Sequence, residues 1–222
     1  MNGSGFCGLG IGLWLFCVAG AAAATGTEPG SELAAETRLD LPDTNLWRQG
    51  VGEGFNRGAQ SFGLSLGAGY GVAAFGGVEE HHLALASISY GYVLTSTLGE
   101  GHWYRGNLEF RGEFFGGAQF SPSDEWLVGL VPHLRYLLAT GSPWMPFLDV
   151  GAGVAATGIG APDLSGTFEF NLQAGVGTHY FLRNDLALTV EVRLFHLSCA
   201  GINQPNQGLN NVMGLVGLTK LF

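Results

Sequence analysis

From about residue 60 to the C-terminus, apolar residues alternate with small or polar ones in segments separated by turn signals. A period of two is the mark of strands, not helices. Eight segments are expected, near 60–75, 82–97, 102–118, 125–140, 144–157, 165–182, 184–198 and 209–222. In the third, Tyr104, Leu108, Phe110 and Phe114 share one parity, and Arg105, Asn107, Glu109, Arg111 and Glu113 take the other. In the fourth, Trp126, Val128, Leu130, Leu134, Tyr136 and Leu138 oppose His133 and Arg135. The second segment breaks phase, because Leu83 and Leu85 lie opposite the face of Ile88, Tyr90 and Tyr92, and a bulge would account for it.

An unbroken apolar and aromatic face with charges of both signs behind it predicts an all-β fold, an eight-stranded antiparallel transmembrane β-barrel over residues 59–222. Its narrow interior would be filled by Glu109, Arg111, Arg135, Glu169, Glu191 and Arg193. A soluble lipocalin-like barrel would turn the apolar face inward, and periodicity alone leaves that reading open. Ion pairs buried there without a filled apolar core would be costly. The end Thr219-Lys220-Leu221-Phe222 resembles the C-terminal signature of bacterial outer-membrane proteins. An even strand count puts both termini on the periplasmic side, with short connections there near 98–101, 141–143 and 182–184. The longer ones near 119–124, 158–164 and 199–208 would then be extracellular.

Composition agrees with a barrel. Charged residues are 12% of the chain and glycines number 38, as expected where strands are half apolar and span a bilayer in about 9–11 residues. Residues 1–24 carry no charge and hold an apolar block before Ala21-Ala22-Ala23-Ala24, which predicts a cleaved signal peptide. Residues 25–58 read as a flexible lead-in. Cys7 and Cys17 fall in the signal, so the mature chain keeps Cys199 alone and has no intramolecular disulfide. A net charge of -9 without a basic run argues against a nucleic-acid partner.

Candidate chemistry sits in the run Phe195–Asn211, FHLSCAGINQPNQGLNN. His196 and Ser198 are two apart on a strand and share a face, where an imidazole can take a proton from a hydroxyl. They continue the parity of Leu186, Leu188, Val190, Val192 and Leu194, so the pair looks toward lipid, as does Asn210 above Val212 and Val216. A strand of about 14 residues tilted by about 45° rises roughly 33 Å, more than the apolar band of about 25 Å. That places the three near the outer interface, at the ester bonds of outer-leaflet lipid. Taken singly, a residue such as Ser198 is more often a turn-capping hydroxyl than a nucleophile, and one such as His196 more often an interfacial histidine than a base. Cys199 has the wrong parity to be a nucleophile beside His196. Glu79-Glu80-His81-His82 reads as a solvated loop, since neighbouring strand residues face opposite sides and cannot share a metal. Gly67-Ala68-Gly69-Tyr70-Gly71 precedes no helix and is no phosphate cradle; its glycines thin the interior. No metal or cofactor is expected.

The run resembles the signature of the PagL-type lipid A 3-O-deacylases, eight-stranded outer-membrane barrels with the motif His-x-Ser-Asn-Ala-Gly, then Pro-Asn-x-Gly, then a glutamate two positions on. Here it reads His196-Leu197-Ser198-Cys199-Ala200-Gly201, then Pro205-Asn206-Gln207-Gly208, then Leu209-Asn210. The resemblance implies a serine esterase that removes an ester-linked acyl chain from lipid A in the outer membrane. Ser198 would be nucleophile, His196 general base, Asn210 the orienting group, and the Gly201 N–H with Cys199 the oxyanion hole. Its implied partners are lipid A or lipopolysaccharide and the membrane, with a homodimer allowed. Two positions depart from the motif, Asn210 for the glutamate and Cys199 for the asparagine. They lower the expected rate, giving a slow enzyme or an inactive relative that keeps the lipid groove. A noncatalytic barrel with a structural or lipid-binding role is the alternative.

Overall fold

A computed structural model describes residues 57–73 and 81–222. The expected signal peptide and all of the lead-in before Arg57 lie outside the described residues. Eight strands follow in chain order: β1 Gln60–Gly71, β2 His82–Val93, β3 Gly106–Ser121, β4 Glu125–Leu138, β5 Trp144–Thr157, β6 Phe168–Arg183, β7 Leu186–Ser198 and β8 Leu209–Leu221. Each pairs antiparallel with its neighbour and β8 closes on β1, so the barrel has no free edge. Closure satisfies every strand's backbone groups within the protein, which a bilayer requires.

The alternation dictates which side chains go where. Leu64, Leu66, Ile88, Phe114, Leu130, Leu148, Val176, Val192 and Val216 stand exposed on the outer wall. Aromatic residues ring both ends of that wall, Phe62, Tyr90, Tyr92 and Trp144 at one and Tyr70, Phe120, Trp126, Phe168 and Phe170 at the other. Two such girdles mark the two membrane interfaces.

Inside, the residues form three layers. A charged middle layer joins Arg193 to Glu113 (2.7 Å) and Glu191 (2.6 Å), and Arg135 to Asp149 (2.6 Å) and Glu191 (3.2 Å). Arg135 also lies 3.8 Å over the Phe147 ring. Glu109, Arg111 and Glu169 are buried in the interior as well. Below the charges, Leu137, Met145, Phe147 and Phe181 seal the end that holds the C-terminus; above them, Leu83, Phe115, Leu164, Phe195, Leu197 and Met213 plug the other. The interior is therefore filled by side chains among the described residues.

Several expectations change in detail. Leu83 and Leu85 face inward as part of the upper plug; the β2–β3 register does shift, but only at His82/Leu83, and parity runs unbroken from there. β3 extends to Ser121, leaving only residues 122–124 where a long connection was expected. Conversely β2 and β3 are joined by residues 94–105, longer than expected and narrowed by the Leu98–Gly106 bridge. His81 is not a solvated loop residue. It is buried, with Nδ1 2.5 Å from Gln119 Oε1 and Nε2 3.3 Å from Asp163 Oδ2. At Gly69 a Cβ would fall 2.7 Å from Asn211 Oδ1 and 2.9 Å from Met213 Cγ, so glycine here makes room for the plug.

Candidate active site

β7 carries His196 and Ser198 out to the upper rim on its lipid-facing parity, and β8 brings Asn210 directly opposite His196 in register. On the other side Leu172 pairs with His196 and Phe170 with Ser198. Because Phe170 belongs to the upper aromatic girdle, Ser198 lies at the level of the membrane interface.

The three polar side chains are linked in a row. His196 Nδ1 is 2.7 Å from Asn210 Oδ1, and His196 Nε2 is 3.1 Å from Ser198 Oγ. An amide oxygen can only accept, so Nδ1 carries the proton and donates it, which leaves the Nε2 lone pair for the serine O–H. That is the tautomer a general base needs. Asn210 is 9% exposed and His196 and Ser198 are half-buried, so the row sits in a wall of side chains with one open side.

The open side is a cavity of about 620 Å³ bordered by Leu172, Leu194, His196, Ser198, Gln207 and Asn210 among others. Its wall residues Ala174 and Leu194 also border a second, apolar depression of about 480 Å³ running along Leu148, Val150, Val176 and Val192. The small side chain of Ala174, paired with Val150 and Leu194 across the neighbouring strands, makes the dip that joins them.

The site is shaped by residues that periodicity did not single out. Gly208 has φ +77°, and a Cβ there would sit 3.2 Å from His196 Cε1, so this glycine lets the loop close against the imidazole. The Asp163 carbonyl oxygen accepts from the N–H groups of both Gln207 and Gly208 at 3.0 Å, tying the 199–208 loop to the 158–167 loop. From inside the barrel Asn171 Nδ2 donates to the His196 carbonyl oxygen at 2.9 Å. Gln173 holds Asn171 at 2.6 Å, and Arg193 holds Gln173 at 2.6 Å, so a chain of bonds runs from the charged layer to the backbone beneath the base. The motif's glycine was a sequence signal for the first of these; nothing local marked Asp163 or Asn171.

The two residues expected to form an oxyanion hole are placed differently. Cys199 is buried on the interior parity, where Ser165 Oγ donates to its sulfur at 3.2 Å and the Asn203 N–H at 3.4 Å. The Asn206 amide lies 2.9 Å from the same sulfur. The Ser165 hydroxyl, helped by the Asn203 N–H, holds the thiol below its ordinary pKa. Neither Cys199 nor Gly201 borders the cavity beside Ser198. The thiol is held between the 158–167 and 199–208 loops.

Comparison with known proteins bears on the same residues. The chain aligns with the protein "Lipid A deacylase PagL" of Pseudomonas aeruginosa at 32% identity over 114 residues, half of this chain and 60% of that relative's length. Among solved structures, the outer-membrane enzyme PagL superposes with a TM-score of 0.54 at 20% identity, covering 70% of this chain and 97% of that one. Neisserial surface protein A does so with a TM-score of 0.54 at 18% identity, covering 74% and 99%. At such identities these two establish the barrel. The family model for lipid A 3-O-deacylase (PagL) matches residues 68–219, which run from β1 to β8 and take in His196, Ser198 and Asn210. With more than half its length matched and a closed eight-stranded barrel as its fold, the chain belongs to the PagL family of outer-membrane lipid A 3-O-deacylases.

Proposed function

We propose that this chain is a serine esterase that hydrolyses the 3-O-linked acyl ester of lipid A in the outer leaflet of the outer membrane. The observation that carries this reading is the hydrogen-bonded row Asn210–His196–Ser198, lipid-facing and level with an aromatic girdle. A structural role supplies no reason for three linked polar groups on a lipid-facing wall, where polar groups are costly. The apolar depression below Ser198 suits an acyl chain lying along the barrel.

In this mechanism Ser198 Oγ adds to the ester carbonyl carbon as His196 Nε2 takes its proton, and Asn210 Oδ1 keeps the ring oriented through Nδ1–H. Collapse expels the sugar oxygen, which leaves with the proton from His196. The acyl-serine is then hydrolysed by a water that His196 deprotonates, and Ser198 regains its proton as the fatty acid leaves. Orientation by an uncharged amide is retained, while charge stabilisation of the imidazolium is not, so turnover is slow relative to a carboxylate-containing site.

Mass spectrometry of lipid A from cells producing the wild type, Ser198→Ala or His196→Ala tests the reading. Loss of a hydroxyacyl chain only with the wild type is the expected result; identical lipid A in all three overturns it. The departures at Asn210 and Cys199 favour one other reading, a noncatalytic lipid-binding barrel, and that second outcome would select it.

A further inference from the structure

An ester hydrolase needs a donor for the oxygen on which charge develops, and most donors near Ser198 are engaged elsewhere. Neither Cys199 nor Gly201 borders the cavity beside Ser198. The N–H groups of Gln207 and Gly208 both go to the Asp163 carbonyl oxygen. The Asn206 amide, oriented to satisfy both neighbours, donates to that same oxygen at 3.1 Å and accepts from the Cys199 N–H at 2.9 Å.

Gln207 remains. It borders the cavity together with His196 and Ser198, and its Oε1 is fully buried with no hydrogen-bond partner. Buried polar atoms are kept unpaired in native proteins only for a reason. The other end of the same amide carries two N–H donors. The loop backbone comes close to the pair at the next residue, where a Cβ on Gly208 would lie 3.2 Å from His196 Cε1 and 3.8 Å from Ser198 Cβ.

We propose that Gln207 is a further catalytic residue whose side-chain N–H groups bind the ester carbonyl oxygen as it becomes an oxyanion. The inference rests on the serine-esterase reading above. When Ser198 Oγ bonds to the carbonyl carbon, the C=O π pair moves onto oxygen and the hydroxyl proton moves to His196. Gln207 donates a hydrogen bond to that oxygen and transfers no proton. When the pair returns, the bond to the sugar oxygen breaks.

The test uses the purified barrel in mixed detergent and lipid A micelles, comparing wild type, Gln207→Ala, Gln207→Glu and Ser198→Ala. Gln207→Ala is expected to lower kcat by about 10²–10³ and leave KM nearly unchanged, since the bond is made chiefly in the transition state. Gln207→Glu, similar in shape but an acceptor, falls at least as far. Heat-modifiable migration unchanged in all variants excludes a folding defect. A Gln207→Ala kcat close to that of the wild type overturns the proposal.

A second measurement separates this from failure of the esterase reading. A p-nitrophenyl alkylphosphonate reacts with Ser198 by forming a P–O bond and expelling p-nitrophenolate, with the serine proton passing to His196. Its P=O oxygen occupies the oxyanion position without requiring lipid A. Wild type labelled on Ser198 and Gln207→Ala labelled about 10²-fold more slowly supports the proposal. Equal labelling of the two overturns Gln207 alone, whereas no labelling and no turnover by the wild type overturns both readings.

Discussion

Replacing Asn210 by aspartate keeps the side-chain length and puts a full negative charge where the amide now accepts from His196 Nδ1 at 2.7 Å. Proton transfer from Ser198 makes the ring an imidazolium, and the charge acts on that species. At a centre-to-centre separation of about 4 Å and an effective dielectric of about 20, the attraction is roughly 4 kcal/mol. Asn210 is 9% exposed, but His196 opens to the cavity, and screening reduces this to about 1.5–3 kcal/mol. At 1.36 kcal/mol per tenfold in rate, Asn210→Asp is expected to raise kcat by about 10- to 100-fold. Asn210→Leu, which removes the acceptor and frees the tautomer, lowers it by at least about 10². The assay is release of hydroxy fatty acid from lipid A in mixed micelles, read on the alkaline plateau of the pH–rate profile so that a neutral base is compared with a neutral base. A folded Asn210→Asp protein no faster than wild type there refutes the reasoning that the missing charge limits the rate.

Gly208→Ala meets both a left-handed backbone (φ +77°) and a Cβ contact of 3.2 Å to His196 Cε1. The backbone alone costs about 1–2 kcal/mol, and the displaced imidazole should lower kcat roughly tenfold with little change in KM, read by steady-state kinetics and thermal unfolding together. Arg193→Leu strips Glu113 and Glu191 of their shared partner inside the barrel. The expected loss is about 3–5 kcal/mol, measured as a fall in the urea midpoint in lipid vesicles, and a midpoint equal to wild type would show the charged layer to be dispensable. Cys199→Ala should leave kcat within a few-fold of wild type, because the thiol bonds between two loops away from the cavity. A loss of about 10² or more would return the thiol to the oxyanion site.

Strand number and wall orientation were legible from the sequence because a strand's faces follow directly from residue parity. The seventh segment ended at Ser198 as expected, and His196, Ser198 and Asn210 share the lipid-facing side. Connection lengths were less legible. Small residues such as Gly116, Gly117 and Ala118 carry little alternation, so the extension of β3 to Ser121 could not be read.

What the sequence determined by itself was therefore a barrel and three polar residues on its outer wall, since both depend on local periodicity alone. The side of the wall on which Cys199 lies follows from the same parity, yet its surroundings did not, because the groups that bond its thiol, Ser165 and Asn203, come from two different loops. Only the tertiary structure decided that Asp163 would brace Gln207 and Gly208, and that Asn171 would support His196 from beneath. These contacts join residues 25 to 45 positions apart, and register across paired strands and packed loops sets them where no pattern along the chain can.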